Sequence, residues 1–419
     1  MDYTYNIKEK IKADVAVVGG GTAGVFAAIS AARCGAKTVL VEKNSILGGT
    51  MTVANVNFPG LFFAWGKQII NGPCWESILK TVELGGAELP VISYKPAVHW
   101  HEQIKLNTFI YTSVLFDMCR EAGVEVICSA MISDCIEEKD GLTLIVTGKN
   151  GLFAVESKTA IDATGDANLS VIAGFKVQKS EVQQPATLQN RISGYTFENV
   201  CTDEVYENIG GAGLPVHITA DALVGYLKNN KIDVHTQCVD ADSSRGRTNL
   251  EQKARCEMLD IYRFLRGIRG LEKLEVEYAA EETGIRETNR IAGEKTITAD
   301  DYINGVSYPD AVCYSFYPID RHVMTGIEKV YHKENVIPQI PYGSLIPKNS
   351  RRILCAGRCI SSDTYANSAV RVEATCMATG QVAGCAACIA VKDGVAVGDV
   401  SYAKLCTELQ NIGAIVPGK

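Results

Sequence analysis

The sequence predicts an α/β fold of three layers with an inserted α+β domain. Near the start of the chain, a glycine-rich loop lies between an apolar strand and an Ala-rich helical pattern. Two later strand-like runs, close to residues 160 and 355, also end in glycine. The length of 419 residues suffices for two to three domains at about 150 residues each.

Composition and charge exclude several classes of protein. Apolar residues make up 47% and charged residues 21%, which are globular values. The 41 basic and 48 acidic residues give a net charge of −7, without a basic run to bind a phosphate backbone, so no nucleic-acid partner is expected. An odd count of 15 cysteines, a polar start and no uninterrupted apolar span indicate a cytoplasmic protein with free thiols and no membrane partner.

The glycine-rich loop has the spacing of a dinucleotide-binding fingerprint. It follows the strand-like run 13–18, and Gly19, Gly21 and Gly24 form GxGxxG. The next strand ends at Glu42, where a carboxylate can accept hydrogen bonds from ribose hydroxyls. Strand, helix, second strand and acid are all in register, so the sequence predicts a bound dinucleotide.

Later segments indicate a bulky dinucleotide that lies close to the backbone. Gly48 and Gly49 follow the second strand directly, and small residues end the strand before Asp166. Near the end of the chain, another strand leads into Gly357 and Arg358, and an Ala- and Gly-rich helical pattern follows.

Together these motifs resemble the glutathione-reductase-type FAD fold. Within it they are similar to an FAD-dependent oxidoreductase family that also resembles the flavin-binding part of heterodisulfide reductase. Three middle segments are similar to that family as well: GIRETNRIAGE (284–294), FYPID (316–320) and IPYGSLIPK (340–348). The resemblance extends from about residue 13 to residue 391 and implies a Rossmann-like FAD/NAD(P)-binding fold with FAD as cofactor.

The resemblance also implies the residues that contact the cofactor. The glycine loop would hold the pyrophosphate, Glu42 the adenosine ribose, Met131 the adenine, and the segment from Arg371 to Thr375 the pyrimidine edge of the flavin. Many reductases of this fold have Asp where this chain has Arg358. The residues assigned to the cofactor are Gly19, Gly21, Gly24, Glu42, Lys43, Gly48, Gly49, Thr50, Met131, Thr164, Gly165, Asp166, Gly357, Arg358 and Arg371.

The motif positions imply a discontinuous FAD-binding domain, because its strands occur at both ends of the chain. The intervening segments would form a substrate domain that caps the flavin. The expected division is 10–60, 104–180 and 350–395 for the FAD domain, 61–103 and 181–349 for the cap, and 396–419 for a C-terminal tail.

A second dinucleotide fingerprint is missing between residues 180 and 350, so no nicotinamide domain is expected. The resulting hypothesis is an FAD-dependent oxidoreductase in which a small organic substrate exchanges a hydride with flavin N5. Electrons would then leave to, or arrive from, an unidentified partner, and a homo-oligomer remains compatible with the sequence. Two alternatives stay open: an electron-transfer subunit of a heterodisulfide-reductase-like complex, and a biosynthetic protein similar to thiazole synthase.

Candidate catalytic residues come from the cap and from the segment before the last helix. The run YSFYPIDRH places Asp320, Arg321 and His322 together, which could bind an anionic substrate and move a proton. Tyr365 lies near the expected flavin edge in sequence. The catalytic candidates are therefore His322, Arg321 and Tyr365. Arg286 and Arg290, four residues apart, are expected to form structural ion pairs on a helix face.

No metal is expected. His99 and His101 have the i, i+2 spacing of strand residues but no third ligand in view. Cys385 and Cys388 form a CxxC inside the Ala-rich helical pattern, where small core residues are common. An iron–sulfur cluster is not indicated, because the chain has no CxxCxxC run.

Overall fold

The computed structural model describes residue 4 and residues 6–92, 102–324 and 326–419. In chain order its strands are β1 (Lys10–Lys12), β2 (Val15–Val18), β3 (Thr38–Val41), β4 (Phe63–Ala64), β5 (Lys67–Gln68), β6 (Glu125–Ile127), β7 (Met131–Glu138), β8 (Gly141–Gly148), β9 (Gly151–Ser157), β10 (Thr159–Asp162), β11 (Val177–Gln178), β12 (Ala186–Ser193), β13 (Lys231–Thr236), β14 (Glu275–Ala279), β15 (Arg290–Ile291), β16 (Ala311–Tyr314), β17 (Ile319–Val323), β18 (Gly326–Val330), β19 (Gln339–Pro341) and β20 (Ile353–Cys355).

The α-helices alternate with these strands. They are α1 (Thr22–Arg33), α2 (Pro73–Glu83), α3 (Thr108–Ala122), α4 (Asn168–Ile172), α5 (Thr202–Asn208), α6 (Ala220–Lys228), α7 (Ser244–Arg266), α8 (Ala299–Asn304), α9 (Thr364–Val370), α10 (Glu373–Asp393) and α11 (Tyr402–Asn411).

A five-stranded parallel sheet forms the middle layer, in the order β20-β10-β2-β3-β6. Its central strand β2 reads VAVV and is buried along its whole length, as expected of a parallel strand that is covered on both faces. The carboxyl ends of β2, β3 and β10 lie at one edge of the sheet. Loops that follow these strands therefore meet there.

The two outer layers cover this sheet. On one face lies the sheet β1-β9-β8-β7, in which β7, β8 and β9 form an antiparallel meander, and apolar residues of both sheets pack together. On the other face pack α1, α3 and α10. The three-layer α/β fold that the sequence predicts is confirmed.

Helices α1 and α10 pack in close contact. A Cβ atom added at Gly380 would lie 2.1 Å from the carbonyl oxygen of Ala23, and one at Gly384 would lie 2.2 Å from that of Ala27. Glycine at these positions therefore allows the two backbones to touch. By length and composition α10 could cross a membrane, but 94% of its apolar window is buried inside the protein, as in a core helix.

The inserted cap has its own sheet and core. Its sheet has the order β13-β12-β14, and α5, α6 and α7 cover it with apolar side chains that form a separate cluster. The long helix α7 begins at the N-cap Ser243, whose side chain accepts a hydrogen bond from the backbone N–H of Gly246. Its polar face is exposed and its apolar residues pack on the sheet.

The packing divides the chain differently from the expected boundaries. Residues such as Phe62, Ile78 and Tyr302, expected in the cap, pack in the same core as α1 and α10. Leu405, expected in a tail, lies in that core as well. These apolar side chains complete the helical layer, and the main separate core of the cap is formed by residues between Leu188 and Ala280.

Candidate active site

The glycine loop after β2 has the shape that close backbone contacts require. Gly19 has φ of +101°, and a Cβ atom there would lie 2.5 Å from the carbonyl oxygen of Ala163. A Cβ atom on Gly24 would lie 1.7 Å from the carbonyl oxygen of Gly19. Side chains are therefore excluded at both positions, and α1 begins directly behind the loop with its N–H groups pointing toward the cavity.

A second glycine loop packs on the first. The backbone N–H of Gly48 donates to the carbonyl oxygen of Gly20 over 2.9 Å, and a Cβ on Gly49 would lie 2.8 Å from Cα of Gly21. Both Gly48 and Gly49 have positive φ. This backbone-on-backbone contact explains why the Gly48-Gly49 pair follows the second strand.

Glu42 is buried at the end of β3 and is hydrogen-bonded to the backbone. Its carboxylate accepts from the N–H of Gly20 over 2.5 Å and from the N–H of Asn44 over 2.7 Å. Burial raises the pKa of Glu42, and these two donors oppose the rise. The next residue, Lys43, forms an ion pair with Glu282 over 2.5 Å, and Arg247 of α7 pairs with the same carboxylate over 2.7 Å.

We expect Glu42→Ala to weaken FAD binding by about 10- to 100-fold, because hydrogen bonds to a charged group contribute roughly 1.5–3 kcal/mol. His322→Ala should spare FAD binding, since His322 lies outside the cavity that Glu42 lines. Titration of FAD into flavin-free protein measures both affinities. Equal losses in the two variants would contradict this division between binding and catalysis.

Asp162, at the end of β10, holds the loop that follows. It is fully buried and accepts hydrogen bonds from the hydroxyl of Thr164 over 2.7 Å and from the hydroxyl of Ser170 over 2.8 Å. It thereby fixes the turn that brings Thr164 and Gly165 to the cavity. Sequence reasoning did not single out this aspartate, although an acid at the end of an apolar strand was a visible signal.

Arg358 connects the cofactor domain with the segment before β15. Its Nε donates to the carbonyl oxygen of Gly165 over 2.8 Å, its Nη2 pairs with Asp166 over 2.6 Å, and its Nη1 donates to the carbonyl oxygen of Ile285. All three guanidinium nitrogens are thus bound to protein oxygens. Arg358 therefore positions these loops.

Most of the predicted cofactor contacts line one cavity above the carboxyl edge of the sheet. Gly24 and Gly48 lie behind it and shape its wall. The predicted residues that line it are Gly19, Gly21, Glu42, Lys43, Gly49, Thr50, Met131, Thr164, Gly165, Asp166, Gly357, Arg358 and Arg371. Ser244 and Arg247 at the start of α7, with Glu282, add a wall from the cap that the sequence did not reveal.

A second cavity of about 340 Å³ adjoins the first. The two share lining residues, among them Thr50, Arg286, Arg371 and Glu373. Its other polar residues are Gln103, Thr187, Gln189, Asp233, His235, Tyr317, Asp320 and His322. Arg371 and Glu373 line the end of the first cavity that adjoins the second. A small molecule in the second cavity would therefore lie directly beside that end.

Strand β17 separates the predicted catalytic residues. Asp320 and His322 face the second cavity, with Nε2 of His322 3.4 Å from Oδ2 of Asp320. Arg321 points to the opposite side, where it pairs with Glu328 over 3.2 Å and stacks over the Tyr365 ring. Alternate residues of a strand face opposite sides, so the structure does not bring the predicted candidates Arg321 and Tyr365 to the cavity.

Burial lowers the pKa of His322. Asp320 opposes this shift, while Arg286 and Arg371 reinforce it. At neutral pH the ring is therefore an uncharged base. For Asp320, burial favours the neutral form, but His322 and Arg371 outweigh burial and lower its pKa.

Arg286 has a different place from the predicted helix face. Residues 284–289 are an irregular segment, and Arg286 lines both cavities. Its Nη1 donates to the carbonyl oxygen of Pro185 over 2.5 Å and to Oγ1 of Thr187 over 2.8 Å. Only Arg290 forms the predicted kind of buried ion pair, with Glu287 over 3.3 Å.

His235 is a site residue that no sequence motif indicates. It lies on β13 opposite Thr187 of β12, and its Nδ1 is 2.8 Å from Oγ1 of that threonine. Burial and the charge of Arg286 lower its pKa to about 3. The rings of His235 and His322 face each other with 6.1 Å between centroids.

Glu373 begins α10 and is the acid nearest to the junction of the two cavities. Burial raises its pKa to about 7, against a usual value of 4.5. The folded protein therefore binds more protons than the unfolded chain between these values, so stability falls as pH rises from 4.5 to about 7. Above that range the cost is on the order of 3 kcal/mol.

We expect Glu373→Gln to raise the melting temperature of flavin-free protein by a few degrees at about pH 8 and to leave it unchanged at about pH 4.5. Thermal unfolding monitored by circular dichroism at both pH values measures this. Glu328→Gln, which alters an exposed carboxylate, is the control. A gain in stability that is independent of pH would contradict the assignment.

Metal ligands are not clustered in the described ranges, where no group of three or more His, Cys, Asp or Glu side chains could hold an ion. His99 and His101 lie outside the described residues. Cys385 and Cys388 are buried on α10, with Sγ of Cys385 3.5 Å from Sγ of Cys34.

The first cavity fits FAD on three observations. The glycine loops form a cradle in which added Cβ atoms would collide with backbone. A buried carboxylate, Glu42, lies where a ribose is expected. At the far end, the buried Nε of Arg371 has no hydrogen-bond partner within the described part of the chain and can serve an oxygen or nitrogen of a bound ring. Fold and site together define a dinucleotide-dependent flavoprotein.

Comparison with known proteins agrees with this class. The chain belongs to the FAD-dependent oxidoreductase family, whose model matches residues 14–409. It is therefore an enzyme with FAD as cofactor, and both expectations are confirmed.

Individual relatives are distant. Digeranylgeranylglycerophospholipid reductase 1 of Methanosphaera stadtmanae is 27% identical over 164 residues, which cover 38% of this chain and 39% of that protein. Thiamine thiazole synthase of Aeropyrum pernix is 27% identical over 161 residues, 38% of this chain and 53% of that protein. The chain thus matches about half or less of the length of these relatives. A geranylgeranyl bacteriochlorophyll reductase-like structure from Thermoplasma acidophilum has a TM-score of 0.46 at 15% identity and covers 96% of this chain and 83% of that one.

Proposed function

We propose that this enzyme transfers a hydride between FAD and a small organic substrate bound in the second cavity, without a nicotinamide domain of its own. The observation behind the proposal is the shared lining of the two cavities at Thr50, Arg371 and Glu373. FAD, when bound, supplies the hydride chemistry. The protein is proposed to be cytoplasmic and to exchange electrons with a partner that is still unidentified.

The chain supplies the remaining requirements of such a reaction. His322 can accept or return the proton that accompanies hydride transfer, and Asp320 orients its ring. Arg286 and Arg371 place positive charge in the cavity, where it can fix a polar group of the substrate. Val56, Phe58 and Val372 complete the lining with apolar surface, which excludes water from part of the cavity.

Anaerobic reduction of the purified protein tests this function. The visible spectrum before and after denaturation first establishes that FAD is bound and released. Candidate acids, alcohols, amines and sugars are then added without oxygen, and bleaching of the flavin by one of these classes is the expected result.

Two other results would each replace the proposal. Additional visible absorption that survives removal of flavin, with no bleaching by small molecules, would favour the electron-transfer subunit. A colourless protein that carries a tightly bound product would favour the biosynthetic function similar to thiazole synthase.

A further inference from the structure

Thr187 fixes the hydrogen-bonding state of His235. The Thr187 hydroxyl oxygen accepts a hydrogen bond from Nη1 of Arg286 over 2.8 Å. Its own proton is then available for Nδ1 of His235, also 2.8 Å away. We assign Nδ1 of His235 as the acceptor, because the Thr187 hydroxyl then uses both its oxygen and its proton, and the neutral ring carries its proton on Nε2. His235 lines the second cavity and has its N–H donor on the ring nitrogen that is not bonded to Thr187.

His322 has the opposite arrangement. Its Nε2 lies 3.4 Å from a carboxylate oxygen of Asp320, which requires the proton on Nε2 because a lone pair there would be repelled. Nδ1 of His322 then has a free lone pair, and within the described ranges no protein group hydrogen-bonds to it. The two facing rings thus present one donor and one acceptor to the same ligand.

Arg286 and Arg371 line the cavity together with Asp233, Asp320 and Glu373, whose carboxylates act on the arginines only from beyond ion-pair distance. Within the part of the chain that the structure describes, neither Arg286 nor Arg371 forms an ion pair with a carboxylate. Burial lowers the pKa of Arg286, and the positive charge of Arg371 lowers it further, while Asp320 and Asp233 oppose the shift. An anionic ligand group between them would relieve this repulsion, and a carboxylate matches the fork of a guanidinium.

The positions of these groups restrict the ligand further. Arg286 and His235 bond to the same oxygen, Oγ1 of Thr187, so they are neighbours in the cavity wall. The ligand oxygens that they contact must therefore also be close together, as on adjacent carbon atoms. An ammonium group beside the carboxylate would offer no lone pair to the N–H of His235.

We propose that the second cavity binds a 2-hydroxy carboxylate with an apolar side chain and oxidises it to the 2-oxo acid. The carboxylate lies between Arg286 and Arg371, and the hydroxyl lies between Nε2–H of His235 and Nδ1 of His322. The apolar side chain of the substrate meets Val56, Phe58 and Val372. This inference rests on the function proposed above and names its substrate class.

The reaction balances with groups already named. The O–H bond of the substrate breaks and its proton passes to Nδ1 of His322. The C2–H bond breaks as a hydride, so two electrons leave the substrate, and the oxidant that takes them up is FAD. The C2–O single bond becomes a carbonyl, and the product is the 2-oxo acid.

Binding of a carboxylate can be tested without turnover. The probe is 4-methylpentanoate, which lacks the hydroxyl, added to the FAD-loaded enzyme in a calorimeter. We expect binding to wild type, a loss of at least about 10-fold in Arg286→Gln, and no change in Arg321→Gln, which alters the neighbouring cation outside the cavity. Arg286→Lys, which keeps the charge, is made in parallel, and FAD content and melting temperature show that each variant is folded.

Turnover is tested with the two enantiomers of 2-hydroxy-4-methylpentanoate under anaerobic conditions. We expect one enantiomer to bleach the flavin, while leucine and the neutral alcohol 4-methyl-2-pentanol do not. Three results would each overturn the hydroxy-acid inference. The first is that neither enantiomer bleaches the flavin, and the second is that leucine or the alcohol bleaches it at the same rate. The third is that carboxylate binding survives Arg286→Gln. If leucine or the alcohol bleaches the flavin, the proposed hydride transfer between a small molecule and FAD would still stand. If no compound of the wider set of acids, alcohols, amines and sugars bleaches the flavin, the proposed function itself would be wrong.

Discussion

Gly24→Ala is expected to yield a protein that retains no FAD and unfolds at a lower temperature than wild type. The added Cβ would lie 1.7 Å from the carbonyl oxygen of Gly19 and 3.0 Å from Cβ of Ala163. Movement of that carbonyl is restricted, because the N–H of Gly19 is bonded to Val41 and a Cβ atom on Gly19 would already lie 2.5 Å from the carbonyl oxygen of Ala163. Helix α1 must therefore move away from β2, and overpacking of this kind costs about 1–3 kcal/mol or more.

The ratio of flavin absorbance to protein absorbance after purification measures FAD retention, and a thermal melt measures stability. Gly210→Ala is the matched control, because a Cβ there meets no atom within 4 Å and φ at that position is not positive. It should match wild type in both measurements. A Gly24→Ala protein with full flavin content would show that the loop is not shaped by this contact.

His322→Gln is expected to slow flavin reduction by substrate by about 10²- to 10⁴-fold while FAD stays bound, since loss of a general base has effects of this size. The matched control is Arg321→Gln, one residue away on β17 but on its other face. It should keep the wild-type rate. Stopped-flow spectroscopy of the anaerobic enzyme measures both. If Arg321→Gln were the slower variant, the orientation of β17 would be wrong.

The dependence of the flavin-reduction rate on pH tests the same assignment of His322 as the base. The base must be neutral, so the rate should fall as pH drops through the pKa of His322, which lies below 6.5. The charged and titratable groups that line the cavity with it are Asp233, Asp320, Arg286, Arg371, Tyr317, Glu373 and His235. His235 stays neutral because its pKa is about 3. Glu373 adds a separate ionisation near pH 7. His322→Gln should abolish the acidic limb and leave the ionisation of Glu373 in place.

The cofactor site could be predicted from sequence because its signals are local. Gly19, Gly21 and Gly24 lie within six consecutive residues, and their spacing follows from one turn of backbone around a phosphate. Glu42 is the next acid at a strand end. Each of these positions is fixed by its own strand and loop, so the sequence alone contains the relevant geometry.

The second cavity could be predicted only in part, because it joins distant segments. His235 is on β13, Arg286 follows β14, and His322 is on β17, and no sequence spacing shows that they meet. Alternation along β17 would have separated Arg321 from His322 had that strand been identified. Glu373 did carry a signal, since it is an acid at the start of a mostly apolar helical run.

The contact between α1 and α10 has a consequence for how the protein is made. Strand β20 and helix α10 complete the sheet and cover α1, yet they are among the last parts of this unit to leave the ribosome. The core of the cap, between Leu188 and Ala280, is synthesised well before them. During translation, the apolar face of α1 therefore stays uncovered until a helix about 350 residues later in the chain has been made. The cofactor can be bound only once residues 353–393 have been added.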